Sequence, residues 1–359
     1  MKIGILTYHR SHNFGAQLQA IALRDVLQRL GNDVAFVDYW PDYHRAMYAP
    51  IARTSLFWKC MHPRTYYHKL INAPSRKKRF IKNMDFINMY INPYCKSMSD
   101  EYDVIIVGSD QVWRKQPGIG IYNPVYFGDN DIKCKFQITY AASTNVIPKE
   151  PADVEYYKKQ LVFFKKISVR ERELKEELKK MGYMADLGVD PALLLSAEEW
   201  KDLIPLEKSK FNEPYLLYYK IGKGYSNEES VGLLAKKMNL KLICLYSNAI
   251  RYEDETHIST ASAADFLNLI RNANFIVTTS FHGTVFAIIN NKPFCTYCDK
   301  GQERITSILK ALDLNDRWCE NPLDIMKLST KAEKVYNEEK LRNLVHSSME
   351  YLTSIQKMI

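Results

Sequence analysis

Glycine and proline are scarce in this chain, with 14 of each in 359 residues. That excludes collagen-like, low-complexity and Gly/Pro-rich disordered classes, which need far more of one or both. Cysteine is sparse too: seven thiols, odd in number and scattered, suit a reducing cytoplasm better than a disulfide framework. No apolar run approaches the roughly 20 residues of a membrane-spanning helix. Met1-Lys2-Ile3-Gly4-Ile5-Leu6 runs directly into a strand, so no signal peptide is expected. The expected setting is cytoplasmic, soluble or peripheral. The loop after that strand is not G-x-G-x-x-G, so a dinucleotide fingerprint is absent. Cys295-x-x-Cys298 lacks a second ligand pair, which argues against zinc. His44, His62 and His68, among Tyr43, Tyr48, Phe57, Trp58, Tyr66 and Tyr67, lack metal-ligand spacing and read as structural or solvent-facing. Neither a metal nor a cofactor is expected.

What is present points to two α/β domains. Hydrophobic content of 46% can fill two cores of ordinary size. Lys2 to Tyr8 reads as a strand, and His9 to Gly15 as a polar loop. A helix follows, with Ala16, Ala20, Leu23, Leu27 and Leu30 on one face and Gly31 just past its end. Asp33 to Tyr39 reads as the next strand, which makes the opening of a doubly wound domain. Pro41 to Asn92 is the least regular stretch. Leu187 to Leu195, with Asp190-Pro191 as its turn, reads as a domain crossing. The expected division is 1–186, 187–330 and a C-terminal helix in 331–359, its apolar face carrying Leu341, Leu344, Val345, Met349, Leu352 and Ile355.

The organising stretch is Asn274 to Asn290. Phe275 to Val277 reads as a buried strand, Thr278 to Ser280 break it, and Thr284 to Ile289 suit a short buried helix. His282 then lies between a strand's C-terminal end and a helix start, where open α/β sheets bind ligands and backbone N–H groups suit an anion. A histidine there can exchange protons near neutral pH. The plainer reading is one that satisfies the turn. Ser262 and Asp265 form a capping-box pattern for the helix before this strand.

Further candidates follow the same logic. Asn13-Phe14-Gly15 allows close ligand approach at a helix start, or is a simple turn. Asp103 to Val107 reads as a strand ending in Gly108-Ser109-Asp110. Asp110 could accept sugar hydroxyls or act as a base, or cap the next helix. Arg170, in the short strand Ile167 to Glu171, could grip a carboxylate or phosphate, or pair with Glu171 or Glu173. Arg304 sits on an expected helix within reach of His282, or simply faces solvent. The formal charge of +9 and the cluster Arg76-Lys77-Lys78-Arg79-Phe80-Ile81-Lys82 suit an anionic membrane surface or a solvated helix face. No nucleic-acid-binding signature accompanies the cluster.

Six segments, in this order, resemble the polysaccharide pyruvyl transferase family: Asn13 to Ala16 with Leu18 to Ala20, Gly108 to Trp113, Tyr140 to Ser143, Ser168 to Glu171, Asp190-Pro191, and Thr279 to Thr284. The resemblance covers nearly the whole length. It implies a GT-B-like pair of Rossmann-like domains facing a cleft, phosphoenolpyruvate as donor and a glycan hexose or lipid-linked sugar as acceptor. For that chemistry His282 and Asp110 are the expected catalytic groups, and Asn13, Gly15, Ser109, Arg170, Ser280, Gly283, Thr284 and Arg304 the expected substrate-binding residues. Some members carry Arg-Leu-His where this chain has Ser280-Phe281-His282, so an arginine is missing at 280 and Arg304 is the candidate to replace it. A nucleotide-sugar glycosyltransferase and a non-catalytic binder of anionic surfaces or nucleic acid are the alternatives.

Overall fold

The structure, a computed structural model, describes residues 1–50, 67, 70–116, 119–205, 211–222, 228–297, 303–319, 324 and 337–358. His62, His68, Phe57, Trp58, Tyr66 and Cys298 lie outside the described residues.

The first lobe is built on a six-stranded parallel sheet of β1 (Lys2–Leu6), β2 (Asp33–Val37), β3 (Cys95–Lys96), β4 (Tyr102–Val107), β5 (Cys134–Thr139) and β6 (Phe164–Lys166), in the order β3-β2-β1-β4-β5-β6. β1 is central, with Ile3 opposite Val34 on one side and Val104 on the other. Its neighbour β4 carries the apolar run Val104 to Val107, as expected for a strand covered on both faces, and these four residues are fully buried. The expected strand near 167–171 is β7 (Ser168–Val169), which pairs with β8 (Asp186–Leu187) in a separate two-stranded sheet.

The second lobe repeats the pattern. Strands β9 (Tyr215–Lys220), β10 (Lys241–Tyr246), β11 (His257–Ile258), β12 (Phe275–Thr278), β13 (Phe294–Tyr297) and β14 (Trp318–Cys319) lie in the order β11-β10-β9-β12-β13-β14, all parallel. Each lobe therefore has the doubly wound order in which strand direction of travel reverses beside the central strand, and ligands bind outside the strands' C-terminal ends at that point. The capping box at Ser262 and Asp265 is formed and starts the helix Ala263–Asn272.

Two features differ from the sequence expectation. The stretch from Pro41 to Asn92 contains an 18-residue helix, Ala73–Tyr90, with a proline in its first turn. Its buried residues are only Asn83, Phe86 and Ile87, which is too narrow an apolar stripe to stand out in the sequence. No helix follows Asp110, whose own φ is +74°.

The segment between the two sheets packs against both lobes. Trp200, on the helix Ala197–Leu203, donates to the Ala192 carbonyl at 3.1 Å and sets its ring 5.2 Å from Phe286. The C-terminal helix Glu338–Ser354 returns to the first lobe, where the Tyr351 hydroxyl donates to the Thr139 carbonyl at 2.7 Å.

Candidate active site

Two helix starts meet at the seam between the lobes. Asn13 caps the helix Phe14–Arg29, its Oδ1 accepting from the N–H groups of Gly15 at 3.0 Å and Ala16 at 3.4 Å. Ser280 caps the helix Phe281–Ile289, its Oγ accepting from the Gly283 N–H at 3.2 Å. The His282 ring lies directly on Gly15: a Cβ there would fall 1.9 Å from Nδ1. Only a residue without a side chain admits the imidazole, and the glycine serves here for close approach rather than for an unusual backbone angle. The His282 side chain is 9% exposed, and its contact with Gly15 sets it where the second lobe's helix start meets the first lobe's.

The sequence reading missed its partner. His282 Nε2 is 3.3 Å from Asp190 Oδ2, and that carboxylate is fully buried. Arg170 Nη2 reaches the same oxygen at 2.8 Å, so Arg170 pairs with Asp190 and not with Glu171 or Glu173. Burial alone would raise the Asp190 carboxyl, but Arg170, His282 and the Ala192 N–H outweigh it and hold it well below the usual carboxylate range. A carboxylate set in the apolar run Leu187 to Leu195 was the available signal; the turn-forming Asp-Pro pair masked it.

Arg170 carries the site's main unmet demand. Its Nη2 also donates to Ser109 Oγ, and Ser109 Oγ in turn donates to the Ala141 carbonyl at 3.1 Å. Its Nε and Nη1 are buried with no partner among the described residues. Buried guanidinium N–H groups left unpaired are costly, and an anion is what would satisfy them. Arg304 lies on the helix Glu303–Ala311 with its guanidinium 5.3 Å from the Phe281 ring, and that of Arg170 is 5.2 Å from the same ring. Burial, and next the charge of Arg170, push the Arg304 pKa down. Burial raises the Glu171 carboxyl, against the charges of Arg170 and Arg304 and a hydrogen bond donated by Ser143. Asp110, Glu171 and Asp190 all act on Arg304. A cavity of about 270 Å³ opens beside Arg170, Asp190, Phe281 and Arg304.

Asp110 sits on the first-lobe side. It accepts from the Gln111 N–H at 2.8 Å instead of capping a helix. Its charge acts on Arg304 and on Arg114. Arg114 stands 5.6 Å from the Tyr8 ring; burial lowers its pKa, but Tyr8 and Asp110 more than reverse this. His44 is buried there, edge-on to Tyr8 at 4.5 Å, which makes it structural rather than solvent-facing.

Three expectations are corrected. Thr284 turns into the second lobe's interior, where its hydroxyl meets the Thr296 hydroxyl at 2.7 Å, so it is not at the site. Gly283 backs onto Thr278, whose Oγ1 would be 2.2 Å from an added Cβ; it makes room for packing, not for ligand. The 76–82 cluster is not a free cationic face. Arg79 donates to the carbonyls of Tyr246 at 3.1 Å and Ser259 at 2.8 Å, and Lys82 meets Asp265 at 3.2 Å, all in the second lobe. Arg76 donates to the carbonyls of Pro50 at 3.1 Å and Ala49 at 2.7 Å. The helix Ala73–Tyr90 is a strap across the seam.

Among the described residues, His9, Asp38 and Cys95 place potential metal-ligating atoms within 4.8 Å of one another, as do Glu228, Cys244 and His257. In the first group Asp38 is already held by Arg10 at 2.6 Å, and in the second Glu228 faces Lys220 at 3.7 Å. Neither group touches His282. No helix among the described residues is long and apolar enough to cross a membrane.

Comparison with known proteins agrees with this architecture. The chain is similar to the UDP-GlcNAc 2-epimerase from Methanocaldococcus jannaschii, at 10% identity over 100% of both chains and a TM-score of 0.53. It is similar to a putative UDP-N-acetylglucosamine 2-epimerase from Listeria monocytogenes, at 12% identity over 99% of this chain and 96% of that one, with a TM-score of 0.52. At such identities the likeness speaks for the GT-B-like fold alone. No curated protein matches the chain. The model of the family described as polysaccharide pyruvyl transferase matches residues 13–297, a span that includes the Gly15 turn, Arg170, Asp190 and His282; the chain belongs to the polysaccharide pyruvyl transferase family.

Proposed function

We propose that this protein transfers pyruvate from phosphoenolpyruvate to two hydroxyls of a hexose in a surface glycan or its lipid-linked precursor, closing a cyclic ketal and releasing phosphate. The observation that carries the reading is Arg170, with Nε and Nη1 buried and unpartnered beside a second guanidinium, Arg304. A donor bearing both a carboxylate and a phosphate matches that pair of guanidinium groups and the unmet N–H donors of Arg170. Arg304 takes the part of the arginine missing at 280.

His282 is assigned as general acid and base, and Asp190 as its positioning residue. The imidazolium gives a proton to the donor's methylene carbon, leaving an electrophilic C2. An acceptor hydroxyl adds to C2, and its proton returns to the imidazole. Phosphate departs with the C2–O electron pair, and the second hydroxyl closes the ring, its proton going to the released phosphate. Asp110 is the candidate for orienting the acceptor diol. The donor occupies the cavity beside Phe281, and the site works in the cytoplasm. With the 76–82 helix engaged across the lobes, membrane contact through it is no part of this reading.

The test is phosphate release from phosphoenolpyruvate with a panel of hexoside acceptors. His282→Ala should lose roughly 10²–10⁴-fold in turnover, the usual worth of a general acid–base group. Near-normal turnover removes His282 from the chemistry. Thermal-shift comparison of phosphoenolpyruvate with UDP-sugars separates this activity from a nucleotide-sugar glycosyltransferase.

A further inference from the structure

A second cavity, of about 370 Å³, opens beside the Asn13-Phe14 turn at the seam. Phe14 and Tyr219 line it. Phe14 precedes the glycine on which His282 rests, and Tyr219 Cδ1 is 3.0 Å from where a Cβ on Gly283 would fall. His282 lines neither cavity itself, but its neighbours line both: Asp190 and Phe281 the first, and Phe14, beside Gly15, the second.

The second cavity has its own chemistry. Its walls include the aromatic rings of Phe14, Tyr48, Phe80 and Tyr219, whose faces suit the C–H face of a pyranose. His12 is 4% exposed, stacked on Tyr48 at 4.9 Å and tilted against Phe80 at 5.1 Å, and its buried Nε2 has no partner among the described residues. Arg76 and Arg79 supply the charge. Their hydrogen bonds go to backbone carbonyls, and no carboxylate lines the cavity among the described residues. Glu253, near Arg79, is taken up by the N–H groups of Ser259 at 2.7 Å and Thr260 at 2.8 Å. Burial and the neighbouring Arg79 hold His12 down to about 4, so at neutral pH its imidazole is a neutral hydrogen-bonding group beside the two cations.

We infer that this cavity is the acceptor side of the enzyme and binds an anionic sugar: a pyranose whose face stacks on the aromatic wall, whose hydroxyl meets His12, and whose carboxylate or phosphate meets Arg76 and Arg79. The inference rests on the pyruvyl-transfer reading for its placing of donor and acceptor in the two cavities next to His282's neighbours, but the binding it claims can be measured without turnover.

Saturation-transfer NMR on the full chain, titrated with methyl β-glucuronide, methyl β-glucoside, glucose 6-phosphate and inorganic phosphate, tests it. The expected result is binding of glucuronide or glucose 6-phosphate about tenfold tighter than the neutral glucoside, and the preferred one of the two tells a carboxylate from a phosphate. Arg76→Met should erase the preference, and His12→Phe, which keeps the stack, should weaken all three sugars. Asn248→Ala, on the cavity wall, gives a second reading if Arg76→Met proves unstable in a thermal melt. Equal affinity for charged and neutral sugars overturns the inference, as does inorganic phosphate binding as well as either charged sugar, or charge preference surviving in Arg76→Met. The two readings fail separately. If Arg170→Met leaves phosphoenolpyruvate protection intact while the sugar preference holds, the donor assignment falls and this cavity stands; the reverse pattern sinks the cavity alone.

Discussion

The Nδ1 atom of His282 lies where a side chain on Gly15 would have to be, 1.9 Å from the position of its Cβ. The helix start of one lobe is thereby shaped to admit the histidine of the other. Gly15→Ala should force the ring off Asp190. Overpacking of this kind typically costs about 1–3 kcal/mol, and turnover should fall roughly as far as in His282→Ala if the ring loses its position. Thermal melts and phosphate release measure the two effects; a variant with full activity would show that the contact is incidental.

Arg170 and Asp190 should behave as one unit. Removing either alone leaves a buried charge unpaired, which commonly costs about 3–5 kcal/mol. Arg170→Met paired with Asp190→Asn should recover part of that loss, giving a coupling energy in a double-mutant cycle. Arg170→Lys keeps the charge but not the planar fork, so donor protection should weaken more than stability does. Additive losses in the cycle would mean that the 2.8 Å contact is not a working ion pair.

Stability should fall on mild acidification. Burial, helped by Arg10, Arg79 and Arg114 respectively, holds His9, His12 and His44 down to about 4. In the unfolded chain each titrates near 6.5. Between those values the unfolded state binds more protons, so stability present at neutral pH is lost as the pH drops through that window. At pH 5 the loss is roughly 2 kcal/mol for each histidine relative to pH 7.5. Urea melts at the two pH values measure it, and His44→Phe should show a smaller drop. An unchanged midpoint would mean that the three rings reach solvent.

The strap across the lobes should matter to stability and not to lipid. Arg79→Met removes hydrogen bonds to Tyr246 and Ser259 and should cost about 2 kcal/mol or more, since bonds from a charged donor are the stronger kind. Lys77, exposed on the same helix, should accept a change to Glu with little effect. Vesicle binding lost in Arg79→Met at unchanged stability would restore the membrane reading of this cluster.

Much of the fold was legible in the sequence. The apolar runs Ile3 to Leu6, Val104 to Val107 and Phe275 to Val277 can only be strands covered on both faces, and Gly31 marks the first helix's end by its φ of +82°. Ser280 and His282 could be placed at a strand–helix junction by local pattern alone. The helix Ala73–Tyr90 was hidden because its seam-facing side binds through Arg79, Lys82 and Asn83, polar residues that hydropathy counts as exposed.

The local code of the chain therefore determined two parallel-sheet lobes and set a histidine and an arginine at their strand ends, because strand, turn and cap preferences act over a few residues. Only the tertiary structure decided that Asp190 holds Arg170 and His282 together, and that the His282 ring rests on Gly15. Those contacts depend on how two independently wound sheets dock, and the docking is set by long-range burial at the seam, which no window of sequence contains.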